Sequence, residues 1–279
     1  MTKSVTRGAY GYKIPDLLSV GELLPESSGT WPTLRIIRSQ SGPPPPPHNE
    51  VDDDRARIPL SDGGFVGMDR VTRTATVVDS ALSQVGLLHP MLAMVTALFA
   101  HWDGRDTFHA GCVVLDGGAW GVMGQRKAGK STLLAYLASQ GFSVVADDMV
   151  SLDGGKVHAG PRFIDLRSDV HESLALSVEL ESPRPERKRL LLPSIQSEFG
   201  FRGWLQLCWG EEVMVDPVPI HERFSSIASQ RIWLMPSKAP AALLDVVSLP
   251  CYRVRRPRAL GALDETVSSV LAVVDSRHP

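Results

Sequence analysis

The sequence predicts an α/β protein built around a glycine-rich loop, and three consecutive features near its centre support this prediction. Residues 108–124 contain two apolar runs separated by an Asp-Gly-Gly turn signal, which is typical of an antiparallel hairpin. The glycine-rich loop follows, and it opens an amphipathic helix over 131–140 that ends before Gly141. A further apolar run over 142–146 predicts a third strand, which ends at two aspartates.

The composition is that of a folded, near-neutral protein. Of the 279 residues, 43% are hydrophobic and 22% are charged, which excludes a mostly disordered chain, a collagen-like fibre and a coiled coil. The 29 Lys and Arg residues are balanced by 31 Asp and Glu residues, giving a net charge of −2. Sequence-independent nucleic-acid binding depends on a net basic surface, so we expect no nucleic-acid partner.

Cysteine usage and hydropathy predict a cytoplasmic location. The three cysteines are far apart, which is not a disulfide framework, and no Cys/His spacing typical of a zinc site occurs. Cys112 and Cys208 lie in apolar runs and are expected to be inert core residues. The first residues lack the apolar segment of a signal peptide, and the longest apolar run, 91–100, is half of the roughly 20 residues that span a membrane. We therefore expect free thiols and no membrane partner.

The N-terminal part is predicted to be rich in strands. Residues 34–37 and 70–79 have the apolar and β-branched composition of strands, and 90–102 predicts a helix with Pro90 in its first turn. Residues 41–57 combine five consecutive prolines with three aspartates. Proline runs are extended and this polarity cannot build a core, so a flexible loop with a solvated Asp52–Asp54 cluster is predicted.

The central loop matches the phosphate-binding pattern G-x-x-x-x-G-K-[ST] at Gly124, Gly129, Lys130 and Ser131. Such a loop wraps phosphates with backbone N–H groups, and the following helix directs its positive dipole end at the same anion. Lys130 is expected to reach the β- and γ-phosphates and Ser131 to ligate Mg²⁺. The sequence thus predicts ATP and Mg²⁺ as ligands, with nucleotide contacts from Gly124, Gln125, Arg126, Lys127, Ala128, Gly129, Lys130, Ser131 and Thr132.

The sequence does not decide the roles of two cations inside this loop. Arg126 and Lys127 could contact phosphate or an acidic acceptor, and they could equally be solvated.

Asp147 and Asp148 narrow the reaction class. They end an apolar strand 17 and 18 residues after Lys130, one helix and one strand later, so this strand should lie close to the loop strand. Strand ends on that side of an α/β sheet face the ligand. Two adjacent acids can divide the work of a kinase, one accepting the proton of an acceptor hydroxyl and the other holding Mg²⁺. The alternative is a solvent-exposed strand terminus.

From His109-Ala110 through the phosphate loop to Ala146-Asp147-Asp148, the sequence resembles HPr kinase/phosphorylase and its relatives, kinases that share a fold with phosphoenolpyruvate carboxykinase. The resemblance is specific over 105–168. It implies an α/β, phosphoenolpyruvate-carboxykinase-like P-loop kinase domain over 104–279, preceded by a strand-rich region over 1–103.

Three flanking segments extend the resemblance more weakly. LLHPMLA (87–93), HAGPRFIDLR (158–167) and RRPR (255–258) are similar to HPr-kinase-related proteins found beside lasso-peptide and other peptide-tailoring genes. In that group the resemblance implies phosphorylation of a serine hydroxyl, in some members on the precursor peptide.

The resemblance also implies roles for single residues. His109 would lie beside the γ-phosphate, Asp147 would be the base that activates the acceptor, and Asp148 would belong to the Mg²⁺ shell, although the two aspartates could exchange roles. The alternative for His109 is a strand histidine with an ordinary hydrogen-bonded environment. The chain departs from the family at Lys127, where glycine is usual, and at Val157, which aligns with a metal-binding glutamate. Mg²⁺ would then be held by fewer carboxylates, unless the alignment is shifted.

Arginines beyond the acidic pair are further candidates. Arg162 and Arg167 could contact the transferring phosphoryl group or an acceptor carboxylate, and the alternative is a structural pair between Arg167 and Asp165. The basic clusters at 184–189 and 253–258 could dock an acidic peptide or remain solvated. Trp204, Trp209 and Trp233 lie among apolar residues and are expected to pack in the core.

Together these observations predict an ATP-dependent kinase that transfers the γ-phosphate to a serine hydroxyl of a peptide or protein. One alternative is a small-molecule kinase acting on a free serine-like hydroxyl. The other is a non-catalytic module gated by nucleotide. The sequence does not identify the acceptor, and an oligomer is compatible with it.

Overall fold

Helices and strands are mixed along the whole chain, in agreement with the predicted α/β class. The computed structural model describes residues 6–78, 80–174, 176, 180–182 and 186–275. Over these residues the strands form four sheets, of two, nine, three and five strands.

The N-terminal region contains a two-stranded antiparallel sheet, a five-stranded mixed sheet and a short 3-10 helix, Leu18–Leu23. The larger sheet has the strand order β3-β7-β6-β5-β4, and its β3–β7 pair is parallel. The strands are β1 (Gly8–Ala9), β2 (Tyr12–Lys13), β3 (Arg35–Ser39), β4 (Glu50–Val51), β5 (Arg55–Pro59), β6 (Phe65–Asp69) and β7 (Thr74–Val78).

Two N-terminal predictions need correction. The loop predicted over 41–57 contains β4 and the start of β5. The prolines and acidic residues around these strands obscured their alternating pattern in the sequence. Asp52 closes the turn between them by accepting the backbone N–H of Asp54 at 2.8 Å, although the acidic cluster is exposed as expected. The strand predicted over 70–79 is β7, which begins only at Thr74 after a turn.

A long helical stretch follows the sheet. It consists of α1 (Gln84–Gly86), a π turn (Leu87–Met91) and α2 (Leu92–Trp102), so the helix begins earlier than the predicted residue 90. This stretch, Gln84–Trp102, is long and apolar enough to cross a membrane by length and composition alone, and most of it is buried within the chain. It packs with the N-terminal strands in one apolar cluster.

The central sheet holds the predicted hairpin. Its order is β11-β9-β10-β17-β13-β12-β8, with β19 pairing β17 and β18 pairing β19. The strands are β8 (Thr107–Phe108), β9 (Gly111–Leu115), β10 (Gly118–Gly124), β11 (Val144–Ala146), β12 (Val150–Asp153), β13 (Lys156–His158), β17 (Glu198–Trp209), β18 (Met214–Pro217) and β19 (Cys251–Arg256).

The strand order of this sheet places the glycine-rich loop, which follows β10, between β9 and β11 on one side and β17 and β19 on the other. Strands β9 and β10 are antiparallel, as predicted, whereas β17 lies parallel to β10 and β19 parallel to β17. The carboxyl ends of β10, β17 and β19 therefore meet at one edge. Strand β11 pairs with β9, so one strand separates it from the loop strand. Helix α3 (Lys130–Ser139) follows the loop and ends before Gly141, whose φ of +87° suits glycine.

A third sheet lies beside α3. It has the order β14-β16-β15 and consists of β14 (Phe163–Arg167), β15 (Leu180–Glu181) and β16 (Arg187–Leu191). The remaining helices are α4 (Ser168–Ser173), α5 (Ile220–Ala228), α6 (Pro240–Ser248) and α7 (Leu263–Asp275), with a 3-10 turn, Leu260–Ala262, before α7.

Packing joins the N-terminal region to the rest of the chain. The apolar cluster that contains the N-terminal strands and α2 also includes Ala146, Met149 and Phe163, which flank the acidic pair. The boundary at residue 103 stays a prediction, but the N-terminal region shares a core with the segment that holds the two aspartates.

The predicted core residues divide into two groups. Cys112 and Trp204 are buried, and burial raises the pKa of the Cys112 thiol, which keeps it protonated and unreactive. Cys208 is half-buried, and burial likewise raises its pKa. Trp209 contradicts the core prediction, because it ends β17 beside the glycine-rich loop with 38% of its surface exposed.

Candidate functional site

The loop between β10 and α3 has the backbone of an anion cradle. Gly124 and Gly129 have φ values of +155° and +84°. A Cβ atom on Gly124 would lie 2.8 Å from the Leu207 carbonyl oxygen, and one on Gly129 would lie 2.3 Å from the Arg256 guanidinium. Both positions therefore require glycine, for conformation and for space.

Lys127 also adopts a left-handed conformation, with φ +69°. A side chain with a Cβ is unfavourable there, which gives a physical reason for glycine at the equivalent position of the family that the sequence resembles. Lys127 and its neighbour Arg126 are exposed on the loop.

Lys130 folds into the cradle. Its side chain is buried, and Nζ donates to the Gly124 carbonyl oxygen at 2.9 Å. Burial lowers the pKa of Lys130, and the negative charges of Asp148 and Asp147 counteract that effect. A buried ammonium at the start of α3 attracts anions together with the helix dipole.

Ser131 connects the loop to the acidic pair. Its Oγ donates to Oδ1 of Asp147 at 3.2 Å, across the edge of the sheet. Burial, and then the charge of Asp148, raise the pKa of Asp147 well above its usual value. When two carboxylates are close together, the negative charge of one disfavours ionisation of the other. Such a pair therefore attracts a proton or a cation.

Asp148 lies in the turn after β11 with φ +66°, and a third of its side chain is exposed. His109 lies close enough to Asp148 and Lys130 for both of their charges to act on its ring. Desolvation of the ring and the positive charge of Lys130 lower the pKa of His109, while the charge of Asp148 opposes this. The structure thus brings His109, Lys130 and Asp148 together, with His109 partly open to solvent and partly desolvated.

Arg162 is not placed to meet a substrate, which corrects one prediction. Its guanidinium is buried and donates to the carbonyl oxygens of Val144 at 2.9 Å, Val145 at 3.3 Å and Pro193 at 3.0 Å. Burial lowers the pKa of Arg162 to about 10. Arg162 therefore holds the end of β11, and with it the backbone that leads to the acidic pair.

Arg167 is also corrected. It points to solvent at the end of β14 and pairs with Asp169 at the start of α4, both side chains being more than half exposed. Asp165, its expected partner, instead receives Nε of Arg189 at 2.7 Å, and both are buried. The register explains this pairing, because Asp165 lies directly opposite Arg189 on β16.

The basic clusters are more ordered than solvated loops. Arg187 donates to the Asp165 carbonyl oxygen at 2.9 Å, and Arg255 pairs with Asp216. Arg184, another cation of the first cluster, lies outside the described residues. Arg256 is buried against the glycine-rich loop.

Sequence reasoning missed two residues on the acidic side of the loop. His89 Nε2 lies 3.2 Å from Oδ2 of Asp148 and 3.8 Å from Oδ2 of Asp165. The hydroxyl of Tyr10 donates to the Asp147 carbonyl oxygen at 3.4 Å. Both come from the N-terminal region, and the LLHPMLA segment was the one sequence signal that could have indicated His89.

The other side of the loop opens into a cavity of about 550 Å³. The Trp209 ring lies at its wall, with the Arg256 guanidinium 4.6 Å and the Arg258 guanidinium 5.8 Å from the ring centroid. Gln206 also faces it, and its buried Oε1 has no hydrogen-bond partner among the described residues. The lining consists of Met123, Gly124, Gln125, Arg126, Lys127, Ala128, Gln206, Leu207, Cys208, Trp209, Ser225, Ser226, Ser229, Gln230 and Arg258.

These residues fit a nucleotide with Mg²⁺. No cluster of three or more His, Cys, Asp or Glu side chains suited to a metal occurs in the part of the chain that the structure describes. Mg²⁺ needs no such cluster, because one or two carboxylates, waters and substrate phosphates complete its shell. The hydroxyl of Ser131 and the carboxylate of Asp148 supply hard oxygen donors. Val157 supplies no ligand, since it is buried in an apolar cluster.

Comparisons with known proteins find similarity among solved structures and none among sequences. No protein-family model matches the sequence, and no curated protein sequence matches it significantly. Among solved structures, that of the Hpr(Ser) kinase/phosphatase from Coxiella burnetii superposes with a TM-score of 0.35 and 14% sequence identity. The match covers 61% of this chain and 90% of that one.

Proposed function

We propose that this chain is an ATP-dependent kinase with a phosphoenolpyruvate-carboxykinase-like P-loop core. It transfers the γ-phosphate of ATP to a serine hydroxyl of a peptide or protein. The hydrogen bond from Ser131 to Asp147, beside the buried Lys130 ammonium, is the observation that carries this proposal. It links a loop suited to phosphate with a carboxylate suited to proton transfer.

The phosphate chain would lie in the cradle formed by Gly124–Ser131. Backbone N–H groups, the α3 dipole and Lys130 neutralise its charge, so the loop supplies binding and orientation. Ser131 and Asp148 would hold Mg²⁺, which when bound neutralises charge on the β- and γ-phosphates.

The nucleoside would occupy the cavity on the β17 and β19 side of the loop. The acidic pair lies on the opposite side, so the γ end of the nucleotide must point there and the base must point away. Trp209 offers an aromatic face at the cavity wall, and Gln206 offers an unpartnered carbonyl oxygen to a base.

Asp147 is the residue suited to take the acceptor proton. Burial and the charge of Asp148 raise the pKa of Asp147, and a base with a raised pKa accepts a proton more readily. The acceptor O–H transfers its proton to Asp147, the acceptor oxygen bonds to the γ-phosphorus, and the bond to the bridging oxygen breaks to release ADP.

The acceptor class rests on the sequence resemblance. A seryl peptide or protein fits the group of HPr-kinase-related proteins that the chain resembles, including those that modify a ribosomal precursor peptide. The exposed Arg126 and Lys127 line the cavity proposed for the nucleoside, so their charges would meet the nucleotide rather than the acceptor. A cytoplasmic location and the oligomeric state remain predictions.

Label transfer tests this function. The wild-type protein and its Asp147→Asn variant are incubated with Mg²⁺ and γ-labelled ATP in a desalted lysate of the host, and again with the small-metabolite fraction restored. We expect label on a peptide or protein that the variant does not transfer. Label confined to the metabolite fraction would identify a small-molecule kinase instead. ATP binding without any transfer would identify a nucleotide-gated module.

A further inference from the structure

The N-terminal region contacts both members of the acidic pair. Tyr10 is buried, its backbone N–H is bonded to the Ala159 carbonyl at 2.8 Å, and its hydroxyl donates to the main chain of Asp147. Burial, followed by the charges of Asp148 and Asp147, raises the pKa of Tyr10, so the phenol stays a donor. His89 contacts the other aspartate through its side chain.

His89 lies between two carboxylates. Its Nε2 is 3.2 Å from Asp148 and 3.8 Å from Asp165, and only 13% of its side chain is exposed. The ring meets Phe163 edge-on, with centroids 6.3 Å apart and planes at 87°. These neighbours place the Nε2 atom between the two carboxylates.

The two carboxylates differ in burial and in their partners. Asp165 is buried and pairs with Arg189, whose guanidinium also stacks on Phe163 at 4.2 Å. Asp148 lies in a left-handed turn and is one-third exposed. His89 therefore connects a buried carboxylate that is paired with an arginine to a carboxylate that is partly open to solvent.

We propose that His89 is a positioning residue that holds the Asp148 carboxylate for Mg²⁺ and the nucleotide. The inference rests on the proposed function and assigns part of the site to the N-terminal region. His89 acts through Asp148, as hydrogen-bonding partners of metal ligands generally do, and removal of such partners typically reduces metal affinity or activity by about 10- to 100-fold.

ATP binding with and without Mg²⁺ tests this role without requiring a known acceptor. Isothermal calorimetry gives the Kd for ATP in Mg²⁺ and in EDTA, and the ratio is the Mg²⁺ enhancement. We expect His89→Ala to reduce this enhancement by about tenfold or more while the Kd in EDTA stays unchanged. His89→Gln, which keeps an N–H donor at a similar reach, should retain most of it. His48→Ala, an exposed histidine of the same region, should match wild type.

A double-mutant cycle separates positioning from folding. In an Asp148→Asn background, His89→Ala should cause no further loss of Mg²⁺ enhancement, because the carboxylate that it positions is already absent. Additive losses, equal enhancement in His89→Ala and wild type, or a loss of ATP affinity in EDTA that His89→Gln shares would overturn the inference. A wild-type protein that binds no ATP would overturn the proposed function as well, so the two failures are distinguishable.

Discussion

The two sides of the glycine-rich loop differ in shape and in charge. On the β17 and β19 side, a cavity of about 550 Å³ is lined by Trp209, Gln206 and exposed cations. On the β11 side, about 10 Å³ remains open among Tyr10, His89 and the carboxylates. The first, open side can admit a nucleoside as it stands. On the second, closed side the small cleft lies between packed side chains, and Asp148 stays partly exposed beside it.

This difference separates recognition from chemistry. Binding a nucleoside needs space and a planar surface, and both are available on the open side. Proton transfer and metal binding need carboxylates held in a fixed arrangement with perturbed pKa values, which requires close packing. The glycine-rich loop lies between the two sides. The phosphate chain of a nucleotide bound there would connect the nucleoside on the open side to the carboxylates on the closed side.

The largest effect should follow from breaking the buried pair on the closed side. Arg189→Met leaves Asp165 buried without its guanidinium partner, which typically costs about 3–5 kcal/mol of unfolding free energy. Arg167→Met is the matched control, since its pair with Asp169 is exposed and solvent screens such pairs. Urea denaturation of both variants measures the difference, and equal losses would contradict the distinction between the pairs.

The stability of the protein should also depend on pH through Asp147 on the closed side. Because the pKa of Asp147 is raised on folding, its protonated form stabilises the ligand-free protein below the ordinary value of 3.8. That contribution disappears as the pH rises through the raised pKa. Asp147→Asn should therefore unfold at higher denaturant than wild type near pH 7, with an advantage that shrinks toward pH 4. A variant less stable than wild type at every pH would refute this.

On the open side, Trp209→Ala should weaken ATP binding by about 1–3 kcal/mol, roughly 5- to 150-fold in Kd, if the base stacks on this ring. Inorganic tripolyphosphate is the control ligand, because it fills the phosphate cradle and has no base. Its affinity should not change, and calorimetry with both ligands checks this. An equal loss for both ligands would mean that Trp209 supports the loop at Gly129 rather than the nucleoside.

The smallest effect concerns the loop itself. Lys127→Gly removes a side chain from a left-handed backbone and should stabilise the protein by about 1 kcal/mol. Arg126→Gly serves as the comparison, since Arg126 does not have a left-handed backbone. This substitution only increases the conformational entropy of the unfolded chain, so it should lower stability. Thermal unfolding distinguishes them, and a loss of stability in Lys127→Gly would show that the lysine side chain makes a stabilising contact.

The local part of the site could be predicted from the sequence. The hairpin, the loop, α3 and the strand before Asp147 follow one another within 40 residues, so spacing alone indicates their order. Their signals are turn residues, helix periodicity and a contiguous motif, none of which depends on distant contacts. The N-terminal strands β3 and β7 were indicated by the same kind of signal.

What depends on distant contacts could not be predicted. Arg162 was expected at the substrate, but its partners are main-chain carbonyls of β11, which carry no sequence signature. Asp165 pairs with Arg189 because of a strand register that spans 24 residues. His89 and Tyr10 reach the acidic pair only because the N-terminal region shares its core with β11 and β14.

The most direct test compares one residue from each side of the reaction. ATP affinity and the rate of γ-phosphate transfer are measured in parallel for Lys130→Ala and Asp147→Asn, with Asp169→Asn as an exposed carboxylate control. We expect Lys130→Ala to lose ATP affinity, whereas Asp147→Asn should keep it and lose transfer by about 10²- to 10⁴-fold. Asp147→Asn with wild-type transfer, or Lys130→Ala with wild-type ATP affinity, would contradict this expectation.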